Sequence, residues 1–129
     1  MYGFSITMTG SMEEVEKKVV DALKTEGFGV LTEIDVKATL KNKIDVDRKP
    51  YKILGACNPH LANQAINAEP DIGLLLPCNV VLREEDDGSM TVAFMDPMSV
   101  LNLTDNEKVH EIAPEVKGKL ERVRDLLKS

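Results

Sequence analysis

Residues 2–36 read YGFSITMTGSMEEVEKKVVDALKTEGFGVLTEIDV, and within them the hydrophobic period changes twice. Tyr2, Phe4, Ile6 and Met8 alternate with Gly3, Ser5 and Thr7, which predicts a strand with one buried face. After the break at Thr9-Gly10, Ser11 and Glu14 have the spacing of a capping box, where hydroxyl and carboxylate each satisfy a free amide at a helix start. Met12, Val15, Val19, Ala22 and Leu23 then fall on one helical stripe. Opposite it, Glu13 with Lys17 and Glu14 with Lys18 are favourable i,i+4 pairs. Gly27 supplies a left-handed C-cap, and Phe28, Val30, Thr32, Ile34 and Val36 alternate once more. The opening is therefore strand, helix, strand.

The remaining chain extends this pattern. Lys37 to Val46 predict a short helix that ends before Arg48-Lys49-Pro50, and Tyr51–Cys57 reads as a third strand. Asn58-Pro59 is an N-cap followed by proline at the first helical position. Leu61, Ala62, Ala65 and Ile66 would form the buried stripe of that helix, which closes near Glu69-Pro70. A fourth extended segment is predicted from Ile72 to Glu84, and Pro77 inside it points to an edge strand or a bulge because it lacks a ladder donor. Glu85-Asp86-Asp87-Gly88 is a hairpin turn into a fifth strand carrying Met90, Val92 and Phe94, which Asp96-Pro97 stops. Thr104 with Glu107 reads as a second capping box. Val109, Ile112, Val116, Leu120, Val123 and Leu127 then mark a long amphipathic helix, with a kink or restart expected at Pro114. These elements predict an α+β fold: a twisted, mainly antiparallel sheet of about five strands with helices packed on one face. No repeat or linker interrupts the chain, so one domain over residues 1–129 is expected.

Composition narrows the function classes. Of 129 residues, 43% are hydrophobic and only 4% aromatic, with no Trp, so a core of Val, Leu, Ile, Ala and Met is expected. Lys and Arg number 16 against 22 Asp and Glu, a net charge of −6, and no basic run exists to displace counterions from phosphates. Nucleic acid and anionic membrane surfaces are therefore not expected partners. The longest apolar run, Ile72 to Pro77, is far below the ~20 residues that span a bilayer. The N-terminus lacks the basic and apolar regions of a signal peptide. With two cysteines and no export signal, a cytoplasmic, reducing setting without a permanent disulfide is the expectation, and the Asn102-Leu103-Thr104 sequon is then a chance match.

Two segments, Ile53-Leu54-Gly55-Ala56-Cys57-Asn58-Pro59 and Leu74-Leu75-Leu76-Pro77-Cys78-Asn79-Val80-Val81, resemble the DUF302 family, a domain of unknown function. The resemblance extends over nearly the whole chain, including Asp96-Pro97 and the C-terminal helix. It implies a TBP-like α+β fold, strand–helix–four strands–helix with short helical insertions, in a compact domain that pairs as a dimer. It supplies no activity and no catalytic role.

Gly55-Ala56-Cys57-Asn58-Pro59-His60 is the segment richest in chemistry. It places a thiol at the carboxyl end of a strand, directly before a helix N-terminus whose free amides would lower a thiol pKa. His60 in the first turn favours the neutral imidazole there, and Gly55 would let a ligand or another backbone approach. Cys78, also followed by an asparagine, Asn79, comes close to Cys57 if the third and fourth strands pair. Several readings follow. Both cysteines can be small buried core residues, with Asn58 and Asn79 as caps or turn residues. Cys57, His60 and Cys78 can hold a soft metal, although Cys-x-x-His with one distant Cys falls short of a four-ligand structural zinc site. Cys57 can be an activated thiol, with His60 as base or Cys78 as redox partner. The amides and asparagines can form a small-molecule or anion pocket with the thiols as bystanders. Asp96 and Asp71 are the acids nearest strand ends, where ordinary turn chemistry competes with acid–base work. Glu84 to Asp87 reads as a solvated hairpin tip and Met90, Met95 and Met98 as gap-fillers rather than a copper(I) site. His110 is expected exposed or hydrogen-bonded.

Nucleotide-loop, dinucleotide, Gly-x-Ser-x-Gly and His-Glu-x-x-His signatures are absent. The expectation is a homodimeric binding module for a small ligand or metal, with candidate residues Gly55, Cys57, Asn58, His60, Cys78, Asn79 and Asp96. The alternatives are a thiol-dependent enzyme or redox switch, and a structural dimer whose motif residues only cap and pack. No cofactor can be named.

Overall fold

The computed structural model describes residues 2–128. The alternation at the start produces strand β1, Gly3–Met8, and the Ser11/Glu14 capping box forms at the head of helix α1, Met12–Thr25. Gly27 adopts φ +81° just past α1, and strand β2 follows at Gly29–Asp35. Asp35 both ends β2 and caps helix α2, Val36–Ile44, accepting from the amide of Ala38. Strand β3 is Tyr51–Cys57 and helix α3 is Pro59–Ala68. Strands β4, Cys78–Glu84, and β5, Met90–Met95, form the hairpin around Gly88, and helices α4, Pro97–Leu101, and α5, Glu107–Leu127, complete the chain.

The five strands form one open sheet in the order β1-β5-β4-β3-β2, antiparallel throughout. One face meets the helices. Ile6, Leu54, Val80, Leu82, Val92 and Phe94 share a core with Val15, Val19 and Leu23 of α1 and with Val109, Val116, Leu120 and Val123 of α5. Phe4 stacks on Phe94 across the β1–β5 pair, with ring centroids 5.4 Å apart. On the other face Ser5, Thr7, Asn79 and Arg83 are exposed. Met90 lies in the core, and Met95 and Met98 pack against it, which agrees with their expected gap-filling role.

Several expectations change. Residues 70–75 form a 3₁₀ segment rather than the start of an extended strand: Pro70 opens it, Ile72 is buried and Leu74 is 86% exposed. A short apolar run has no period by which to tell strand from helix. Pro77 does not mark an edge, because β4 is the central strand and Pro77 stands just before its first ladder residue, Cys78, so no amide is missing from the ladder. A bulge lies instead in β2, where the register shifts between Val30 and Thr32 around Leu31. Thr104 and Glu107 do not form a capping box. Asn106 caps α5, accepting from Lys108 and Val109, and the Thr104 hydroxyl instead donates to Glu69 at 2.7 Å. Helix α5 does not restart at Pro114, which sits exposed between buried Ala113 and Val116. Asp96-Pro97 ends β5 but also begins α4. On α3, Ile66 is 45% exposed, leaving Leu61 and Ala65 as the buried positions.

Candidate functional site

Asn58 organises the turn between β3 and α3. Its Oδ1 accepts from the amide of Leu61 at 3.3 Å, the N-cap bond expected of asparagine before Pro59. Its Nδ2 donates to the carbonyl of Glu26 at 3.3 Å, so the same side chain fastens the end of α1 to the start of α3. A Cβ at Gly27 would stand 3.0 Å from that Nδ2, a second reason for glycine at this positive-φ position. Cys57, Asn58 and Cys78 border one apolar hollow of ≈ 30 Å³ beneath α3, with Leu61, Leu76 and Ile112 among its other walls. His60 lies exposed in the first turn of α3.

The two cysteines are neighbours on adjacent strands, at positions of opposite parity. Ala56 pairs with Cys78, so Cys57 is one residue beyond that pair and shares the parity of Gly55, on the open face. Cys78 is buried on the helix side, and burial together with the nearby Cys57 pushes its thiol up to about 12. Cys57 is half-buried, and burial raises its pKa as well. This corrects the expectation of a helix-activated thiolate. The Asn58 side chain already occupies an amide at the head of α3, and burial of the thiol acts against its ionisation. Both cysteines are free.

Among the described residues no three His, Cys, Asp or Glu side chains gather into a metal-holding group, so Cys57, His60 and Cys78 do not close into a three-ligand centre. Gly55 is not open to a ligand. A Cβ there would meet Thr32 Oγ1 at 2.1 Å and Pro77 Cγ at 2.8 Å, so residues of the chain itself fill the space that glycine leaves. Asn79 is the cross-strand partner of Gly55 and is exposed on the open face, away from the hollow's apolar walls. Asp96 is committed elsewhere: Oδ1 accepts from the amide of Met98 to cap α4, and Oδ2 pairs with Lys117 of α5 at 3.1 Å. Asp71 is exposed in the 3₁₀ segment. At the hairpin tip, Lys49 pairs with Asp86 and Ser89 donates to Asp87, which holds both carboxyls below their ordinary range.

The structure also assembles a polar junction that no spacing in the chain announces. Asn106 Nδ2 donates to the carbonyl of Ala68 at 2.7 Å, Thr104 donates to Glu69, and His110 Nε2–H donates to the carbonyl of Thr104 at 2.6 Å. It locks the end of α3 to the head of α5, across 35 to 38 residues of chain. Asn106 itself was discoverable, since asparagine is a stronger N-cap than the threonine two residues earlier.

No helix among the described residues is long and apolar enough to cross a membrane. Among curated proteins none matches the chain. A solved structure does: the crystal structure of an uncharacterized conserved protein DUF302 from Bacillus stearothermophilus is 28% identical, covers 98% of each chain and superposes with a TM-score of 0.90. The five-stranded sheet and its helical cover are thus shared with that protein almost end to end. With residues 4–127 matching the model of the domain of unknown function DUF302, this chain belongs to the DUF302 family.

Proposed function

We propose that the protein is a binding module for a small ligand, seated at the Cys57–His60 turn beside Cys78. The observation that supports this most is that Cys57 and Cys78, on adjacent strands, both line one largely apolar hollow. At ≈ 30 Å³ the hollow has room for a water-sized occupant, against the ~300 Å³ or more of an organic-ligand pocket. Sulfur donors with apolar walls favour a soft metal ion over a hard ion or a charged metabolite. A thiol nucleophile has less support, because burial moves both thiols toward the protonated form. A reducing compartment such as the cytoplasm accords with this reading, since it keeps both thiols free.

Mass spectrometry of freshly purified protein, native and then denatured, tests the reading. The expected result is one extra metal atom per chain, lost on denaturation. Titration with silver(I) as a probe should then load one tightly held ion per chain, weakened by both Cys57→Ser and Cys78→Ala. A bare native mass followed by no uptake, or by two independent ions with one per thiol, would overturn it.

A further inference from the structure

We infer that the open sheet face carries, at the end where β3 begins, a seat for a monocarboxylate with an apolar tail, held between Arg48 and Arg83. The register builds it from four strands. Tyr51 of β3 pairs with Arg83 of β4, Arg83 with Thr91 of β5, and Thr91 with Thr7 of β1, so these four residues share one row across the open face. The Arg48 guanidinium lies over the Tyr51 ring, 5.3 Å from its centroid. Two guanidinium groups thus flank one phenol ring, a full strand length from Cys57 at the far end of β3.

The chain's own Glu85 shows what this row takes. Its carboxylate pairs with Arg83 and accepts from the Thr91 hydroxyl at 3.0 Å. Both contacts fall on one oxygen, Oε1, and use one guanidinium nitrogen of Arg83. A guanidinium fork matches both oxygens of a carboxylate through two parallel bonds, and that arrangement is the stronger one. Arg48 is exposed and forms no ion pair among the described residues. An incoming carboxylate can fill the fork of Arg83 and take the charge of Arg48, and Glu85 is the internal anion that it displaces.

The next row along the strands and the charge of the chain define the rest of the ligand. Ile53, Val81 and Ala93 stand side by side there, half-buried and outside the core under the helices. Three strands ~4.8 Å apart give this apolar row a span of roughly 10 Å, the scale of a medium-chain acyl tail. Cationic groups beside an apolar strip favour an amphipathic acid over a wholly polar metabolite. The net charge of −6 repels a phosphate monoester, with its ~2 charges, more than it repels a single carboxylate.

Isothermal titration calorimetry of the full chain with sodium octanoate tests this. One octanoate per chain should bind with half-saturation below ~1 mM, and acetate and octylammonium should not bind in that range. Arg83→Gln and Arg48→Gln should each weaken octanoate at least ~5-fold with unchanged circular dichroism. Glu85→Gln removes the internal competitor and should tighten octanoate ~5-fold. Glu84→Gln removes the same charge one residue earlier, on the opposite parity, and should change affinity by less than ~2-fold in salt that screens beyond ~8 Å. Cys57→Ser should leave octanoate binding unchanged, which separates this seat from the hollow under α3. Absence of octanoate binding overturns the proposal. So does binding that both arginine variants retain, that acetate or octylammonium matches, that Cys57→Ser abolishes, or that Glu84→Gln and Glu85→Gln alter equally.

Discussion

Replacing Gly55 with alanine adds one methyl group at the most crowded point of the sheet. Gly55 has no positive φ, so the reason for glycine is steric. The new Cβ would stand 2.1 Å from Thr32 Oγ1 and 2.8 Å from Pro77 Cγ. Thr32 can turn its hydroxyl away at a cost of roughly 0.5–1.5 kcal/mol if χ1 leaves its well. The ring of Pro77 has no such freedom, so β3 and β4 must separate slightly, and overpacking of this kind costs ~1–3 kcal/mol. Alanine returns ~0.4–1 kcal/mol by restricting the unfolded chain. The net expectation is a loss of about 2 kcal/mol, read as a urea midpoint lower by about 1 M at an ordinary slope. Adding Thr32→Ala removes the shorter contact and should restore about 1 kcal/mol, a coupling that independent sites would not show. If Gly55→Ala leaves the midpoint unchanged or raises it, the close packing of Thr32 and Pro77 over Gly55 is refuted.

Asn58→Ala removes both the α3 cap and the bond to Glu26, and should cost about 1–2 kcal/mol in thermal or urea unfolding. Asn58→Asp keeps the cap oxygen and should lose only part of that. In the folded protein Cys78 should resist iodoacetamide until unfolding, while Cys57 should react slowly at neutral pH and faster as the pH rises, followed by mass spectrometry. Cys78 also predicts a pH dependence of stability. The folded chain holds its proton to about 12, whereas an unfolded thiol ionises near ~8.5. The unfolded state therefore sheds the proton first, and stability should fall as the pH climbs through that window, a slope that Cys78→Ala flattens. Asp96→Asn should retain the α4 cap and lose only the pair with Lys117, so it should destabilise less than Asp96→Ala.

What could be read in the chain was local. The alternation of residues 3–8, the Ser11/Glu14 box, Gly27, the Asn58-Pro59 start and the Asp87-Gly88 hairpin all depend on neighbours within about four residues, and each formed as expected. The errors arose where local signals tie. Residues 72–75 have no period, so burial of Ile72 rather than propensity chose a 3₁₀ turn. Thr104 and Asn106 compete for one helix start, and the bond from Asn106 to Ala68, made across 38 residues, accompanies the winning choice.

The candidate site shows the same division. The order of residues placed a thiol before a helix start, because strand period and capping chemistry are written in consecutive positions. Tertiary structure decided what that thiol is. Strand pairing brought Cys57 and Cys78 together at positions of opposite parity, burial raised both pKa values, and Thr32 and Pro77 closed the space over Gly55. It also brought Ile53, Val81 and Ala93 from three strands side by side on the open face. Pairing register, desolvation and close packing are relations between distant segments, so no pattern of neighbouring residues contains them.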